Sequence, residues 1–136
     1  MIDIHAFVAK WNGKVIPGPI ADQCVNVIKE WEKENGWSTT YGNAIDYSKG
    51  QAGWQWIKNT PTGVPPAGAA VVFQEPMVWD SQSKIWVEYG HIALAYTGSN
   101  QKVLVTFEQN DPLGSAAHIK DYNYINPKCL GWLVKV

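Results

Sequence analysis

The hydrophobic pattern of this chain changes period once, and the change falls at a run of helix-breaking residues. Thr60-Pro61 and Pro65-Pro66-Ala67-Gly68 interrupt any helix, because proline lacks the backbone N–H and its ring clashes with the preceding turn. Before this run the sequence reads as helix and loop, and after it short β-rich segments dominate. Helices first and a mostly antiparallel sheet afterwards is the pattern of a segregated α+β domain.

In the first half, a Gly/Pro-rich approach (Asn12-Gly13 and Pro17-Gly18-Pro19) leads into an amphipathic stretch over residues 21–31. Cys24, Ile28 and Trp31 share one stripe of it, and Asp22 stands in the N-cap position. Asn35-Gly36 is a good C-terminal stop. Gly42-Asn43-Ala44 opens a weaker helical stretch to about Lys49, followed by Gly50 and Gly53. Strands are expected over Ala70–Gln74, Ile85–Tyr89, His91–Tyr96, Val103–Glu108 and Leu130–Val136. Asp80-Ser81-Gln82-Ser83 and Gly98-Ser99-Asn100-Gln101 read as hairpin turns between them. No repeat, low-complexity tract or charge block divides the 136 residues, so one domain spanning 1–136 is expected.

Charge narrows the partners. The net charge is −1 and all 11 basic residues are lysines, so the planar guanidinium fork favoured for phosphate and guanine recognition is missing. Nucleic acid is not an expected partner. No apolar run approaches the roughly 20 residues of a membrane span. Met1 to Phe7 lacks the basic region and long apolar core of a signal peptide. The expectation is a protein made in the cytoplasm that reaches any external target by another route, or one cut from a longer parent. Two cysteines, Cys24 and Cys129, are too few for a disulfide framework at this length, and pairing them would cap the one thiol with activating surroundings. Cys129, just before the last strand, reads as a buried packing residue.

That thiol is Cys24. In the first turn of a helix it meets the positive end of the helix dipole and unpaired N–H groups, both of which favour the nucleophilic thiolate. Two strand positions answer it. Alternation sets His91, Ala93 and Ala95 on one face of their strand, where small side chains beside Gly90 leave room for a helix end. Glu108 and Asn110 share a face of the next strand. A turn centred near residues 99–100 puts His91 across from about Glu108, within reach for a carboxylate or amide to hold the imidazole by its second nitrogen. Thiol, imidazole and orienting group make the set for nucleophilic acyl transfer. Each residue also has a structural alternative: a buried core thiol, a hydrogen-bonded sheet histidine, a strand-end carboxylate facing water. Spacing alone leaves both readings open.

In order, Asp22-Gln23-Cys24-Val25, Gly42-Asn43-Ala44, Pro66-Ala67-Gly68, Gly90-His91-Ile92-Ala93, Glu108-Gln109-Asn110 and Leu130-Gly131-Trp132 resemble a CHAP domain, the cysteine-, histidine-dependent amidohydrolase/peptidase family. The resemblance spans nearly the whole chain. It implies a papain-like α+β fold, as in bacteriophage endolysins, tail-associated lysins and bacterial autolysins. It also implies Cys24 as nucleophile, His91 as general base, Glu108 as orienting acid and Asn110 as supporting amide. The related NlpC/P60 family tends to use a histidine as third polar residue, so Glu108-Gln109-Asn110 favours the CHAP branch.

Two departures stand out. Many relatives carry an aspartate where this chain has Ala69, a structural position. Some phage relatives carry a calcium loop before the nucleophile, but Val15 to Ala21 offers no oxygen-ligand side chain, and calcium needs six to eight oxygens. His5 and His118 stand far from any zinc-like spacing. No metal and no cofactor are expected. Gln23 is a candidate oxyanion donor, and Tyr89, with Trp79 and Trp86, a candidate for the substrate groove.

What the resemblance implies is a thiol hydrolase of an amide bond in bacterial peptidoglycan, an N-acetylmuramoyl-L-alanine amidase or a peptidoglycan endopeptidase. It is expected to act as a monomer, either as a minimal lysin or as a catalytic domain separated from a cell-wall-binding module. The alternatives are a non-catalytic wall-binding module on the same fold and a cysteine peptidase of soluble protein.

Overall fold

The computed structural model describes residues 1–20 and 23–136. The Asp22 N-cap assignment lies outside the described residues. Three helical segments precede the sheet. α1 (Ile4–Trp11) is capped by Asp3, whose carboxylate accepts from the His5 N–H at 2.9 Å. Its Ile4, Phe7 and Val8 carry the i, i+3, i+4 apolar spacing of a one-sided helix, and all three are buried. The sequence reading did not include this helix.

α2 (Val25–Glu34) starts directly after Cys24 and stops where Asn35-Gly36 was expected to stop it. The Trp37 N–H reaches the Glu32 carbonyl at 2.9 Å and the Gly36 N–H reaches Lys33 at 3.1 Å, with Gly36 at φ +73°. That is a Schellman ending, which needs the left-handed residue glycine supplies. The weaker helical stretch is a 3-10 helix over Ala44–Lys49, closed at its start by a reciprocal capping box between Asn43 and Asp46. No helix among the described residues is long and apolar enough to cross a membrane.

Six strands form one antiparallel sheet: β1 (Trp54–Lys58), β2 (Ala70–Gln74), β5 (His91–Ala95), β6 (Leu104–Glu108), β7 (His118–Tyr122) and β8 (Lys128–Lys135). Their order is β1-β8-β2-β5-β6-β7. β3 (Val78–Asp80) and β4 (Ile85–Val87) form a separate hairpin with Trp79 opposite Trp86. The expected α+β class, helices packed on a mostly antiparallel sheet, is the class found. β1, β3 and β7 were not expected as strands.

Alternation sorts the sheet into two buried faces. Val72, Ile92, Leu94, Phe107 and Leu133 pack under the helices against Phe7, Val27, Ile28 and Trp31. Phe7 sits edge-on to Trp31 at 5.0 Å and to Phe107 at 6.1 Å, tying both helices to the sheet. The other face carries Val71, Phe73, Ala93, Ala95, Leu104, Tyr122, Cys129 and Trp132. β5 is buried along its whole length because it is covered on both sides.

This arrangement corrects two expectations about the β5–β6 pair. Ala93 and Ala95 do not face α2, which packs on the Ile92 and Leu94 side; their small side chains make room for the Phe73 and Tyr122 rings, 4.5 Å apart. The pairing is also two residues off the expected register, with Leu94 opposite Phe107 and Ala95 opposite Thr106. The cause is the turn. The Asn100 carboxamide accepts from the Lys102 and Val103 N–H groups, both at 2.8 Å, and the Asn100 N–H reaches the Val103 carbonyl at 2.8 Å. The tight turn therefore lies over Asn100–Val103 rather than Gly98–Gln101. A slip of two keeps side-chain parity, so His91 and Glu108 still share a face, as diagonal rather than opposite neighbours.

Candidate active site

Cys24 is the N-cap residue of α2. The segment leading to it is held by two side chains. Asn26, in the first turn, donates to the Ile20 carbonyl at 2.8 Å, and a Cβ on Gly18 would stand 2.1 Å from the Asn26 Oδ1, which explains the glycine. Gln109, fully buried after β6, accepts from the Ile16 N–H at 2.8 Å and donates to the carbonyls of Ile16 (3.1 Å) and Gln23 (2.9 Å). The strand that carries Glu108 is thereby pinned to the segment that carries Cys24. Gln109 had no role in the sequence reading. An apolar position would be expected opposite Glu108, and the buried glutamine there is the only signal the sequence offers.

His91 is the first residue of β5, at the rim of the sheet, and is 4% exposed. Its Nε2 lies 3.1 Å from Glu108 Oε2, which leaves Nδ1 free to serve the Cys24 thiol across the cleft that both residues line. Gly90 sets the approach. At φ +68°, a Cβ here would meet the Ile45 backbone nitrogen at 2.9 Å, and the Ile45 N–H donates to the Tyr89 carbonyl at 2.8 Å. The helix end that Gly90 admits is thus the 3-10 helix rather than α2.

Burial alone would press the His91 imidazole toward neutrality. Hydrogen bonds to Cys24 and Glu108, together with their charges, outweigh it and push the pKa up to about 10. Glu108 is fully buried, and the Tyr122 hydroxyl donates to its other oxygen, Oε1. Tyr122 also stands 2.9 Å from Asp111 Oδ2, which receives Lys120 Nζ at 3.2 Å and lies 4.0 Å from His91 Nε2. Burial works against the Asp111 charge, but the bonds from Tyr122 and Lys120 hold its carboxyl below the usual range. Glu75, beside them, is raised by burial. Tyr122, at the end of β7, and Asp111, just past β6, are further polar residues of the site that no local sequence pattern marks.

Asn110 is placed differently from Glu108. It turns the chain at φ +66°, its N–H donates to Ser115 at 3.0 Å, and its Oδ1 accepts from the Gly114 N–H at 2.7 Å. It borders the cleft but forms no hydrogen bond with His91 or Glu108 among the described residues. The carboxylate beside Glu108 is Asp111 instead.

Cys24 and His91 open into a cleft of about 1160 Å³, bordered also by Gln23, Tyr89, Tyr41 and Leu113. Tyr89 and Gln23 therefore lie where a substrate could touch them, whereas Trp79 and Trp86 do not border the cleft and pack on each other at 5.5 Å. Behind Glu75 and Asp111 a second cavity of about 1110 Å³ reaches Lys120 and Tyr122. Cys129 is buried in β8, where burial pushes its thiol up to about 11, in contrast to the half-buried Cys24. His91, Glu108 and Asp111 are the one group among the described residues that brings three ligand-type atoms within 4.8 Å, and an ion there would compete with the bonds just described.

The sequence matches no family model and no curated protein. Solved structures that share the fold include the following three. The crystal structure of a wild-type endolysin, LysIME-EF1, matches with a TM-score of 0.71 at 23% identity, over 99% of this chain and 65% of that one. The structure of Ly7917 matches with 0.64 at 15% identity, over 94% and 58%. Ly7917 with the hydrolysing product of MDP matches with 0.57 at 14%, over 83% and 53%. At such identities the likeness is one of fold, and the chain spans less than two thirds of the length of each.

Proposed function

We propose that this chain is a CHAP-type cysteine hydrolase that cleaves an amide bond of bacterial peptidoglycan. The observation that carries the reading is the buried His91–Glu108 pair beneath a half-exposed Cys24 at a helix start, open to a cleft. An imidazole held charged beside a thiol favours the thiolate–imidazolium form over the neutral pair. The fold shared with the endolysin LysIME-EF1, and the hydrolysing product of MDP named with Ly7917, support the wall as substrate.

In the proposed reaction the Cys24 thiolate attacks the amide carbonyl carbon, and a C–S bond forms as the carbonyl electrons move to oxygen. The Cys24 N–H, with the Gln23 side chain, would hold that oxyanion; losing one such donor typically costs about 100- to 1,000-fold in rate. Collapse breaks the C–N bond, and His91 delivers its proton to the leaving amine. His91 then takes a proton from water, which attacks the thioester and releases a carboxylic acid and the Cys24 thiolate. Glu108 keeps the ring oriented throughout.

The test is lysis of purified sacculi by the chain and by Cys24→Ala, with mass spectrometry of the released fragments to tell an amidase cut from an endopeptidase cut. Lysis that survives the substitution overturns the mechanism. Turnover of casein but not sacculi would assign the same chemistry to soluble protein.

A further inference from the structure

Glu108 has two oxygens and no solvent, so both must be matched from within. Oε2 faces His91 at 3.1 Å, and the Tyr122 hydroxyl meets Oε1; the Thr106 hydroxyl stands 3.3 Å from Oε1 but lies nearer the Lys120 carbonyl, at 2.9 Å. Tyr122 does not reach Glu108 through strand pairing, since its partner across β6 is Leu104 and the partner of Glu108 is His118. Its ring lies instead on the small-residue face, 4.5 Å from Phe73 and 6.4 Å from His91. One phenolic proton stands between two carboxylates, Glu108 Oε1 and Asp111 Oδ2. Lys120 decides the competition, because its ammonium at 3.2 Å already compensates Asp111 and leaves the hydroxyl proton for Glu108.

We propose that Tyr122, backed by the Lys120–Asp111 pair, is a positioning residue that locks the Glu108 carboxylate in the rotamer that serves His91. The inference rests on the Cys24–His91 reading of the site. The chain of bonds runs Lys120 to Asp111, Tyr122 to Glu108, and His91 to Glu108. Glu75 is the other charged group facing this cluster. Without the hydroxyl, Oε1 is a buried acceptor with one fewer donor, and the carboxylate can turn from His91 to relieve it.

The test is Tyr122→Phe, which keeps the ring against Phe73 and removes only the donor. Two readouts are taken: kcat and KM on sacculi, and the rate of Cys24 alkylation by iodoacetamide across pH. Expected are a fall in kcat of about tenfold, the rate equivalent of one hydrogen bond to a charged group, and an unchanged KM. The acid limb of the alkylation profile should move toward higher pH by about one unit. A folded Tyr122→Phe with wild-type kcat and alkylation profile overturns the proposal. Should that variant not fold, Lys120→Met decides. Freed from Lys120, Asp111 competes for the hydroxyl and the alkylation profile should shift in the same direction, whereas a wild-type profile overturns the proposal. If the wild-type chain does not cleave sacculi, the function is wrong, yet the alkylation profile still reads the Tyr122 contribution.

Discussion

Gln109 grips Ile16 at both of its backbone polar groups, accepting from its N–H at 2.8 Å and donating to its carbonyl at 3.1 Å. Both residues are fully buried, so no water stands in if the grip is lost. Gln109→Leu would orphan the Ile16 N–H, leave the Ile16 carbonyl only the Asn26 amide at 3.5 Å, and take the donor from the half-buried Gln23 carbonyl. A loss of about 2–4 kcal/mol is expected, read from urea unfolding, because each buried unsatisfied group costs about 1–3 kcal/mol. Gln109→Glu should do no better, since both carbonyls need a donor that a carboxylate lacks. Cys24 alkylation should slow in parallel. Wild-type stability in Gln109→Leu would mean the amide clamp holds nothing.

The two kinds of information in this chain differ in how far they reach along it. β2 was legible because Ala70–Gln74 is an apolar run bounded by Gly68 and Pro76, and the end of α2 because Asn35-Gly36 is local chemistry. His91 and Glu108 could be set on one face from alternation alone. Their register could not, since it turns on the Asn100 side chain choosing the later of two adjacent turns. β1 and β7 are illegible in the sequence because edge strands carry polar residues such as Gln55, Lys120 and Asp121, which blur the alternation. Gln109 and Tyr122 were out of reach for a further reason: each acts on a segment brought to it only by the finished sheet. Tyr122 lies 14 positions from Glu108, and Gln109 lies 93 from Ile16.

The His91–Glu108 pair has a pH signature. The imidazole is raised in the folded state to about 10, against about 6.5 unfolded. A raised base stabilises the fold fully below the unfolded value and loses that contribution as pH climbs through the folded one. Glu108→Gln keeps the shape but removes the charge that holds the imidazolium. The stability advantage of wild type over Glu108→Gln should therefore be greatest near pH 6 and shrink toward pH 10, measured as urea midpoints at both. An advantage that grows toward pH 10 would show that the ring is neutral in the folded protein.

Gly90 couples the site to the 3-10 helix. Gly90→Ala would place a Cβ 2.9 Å from the Ile45 nitrogen, which is backbone and cannot rotate away, in a left-handed conformation that itself costs about 1–2 kcal/mol. A loss of at least about 2 kcal/mol is expected, with lower activity because His91 is the next residue. A melting temperature within a degree or so of wild type would mean the 3-10 helix can retreat freely.

Glu32 gives the opposite pH behaviour. It is fully buried in α2, and its Oε1 accepts from the Thr40 N–H at 3.2 Å and hydroxyl at 2.9 Å. Its Oε2 has no hydrogen-bond partner among the described residues. Burial raises the carboxyl, and the Thr40 bonds only partly offset this. A folded acid raised above its unfolded value of about 4.3 binds its proton more tightly in the native state, so its ionisation costs stability as pH rises. Glu32→Gln keeps the oxygen that Thr40 uses and abolishes the ionisation. The variant should match wild type near pH 4, where Glu32 is protonated in the folded chain, and gain on it by pH 7. Urea midpoints at the two pH values read the difference directly. Wild type gaining on the variant between pH 4 and 7 would mean that the charged carboxylate is matched by a partner on the Oε2 side, and that this corner of the helix layer is built around an anion rather than strained by one.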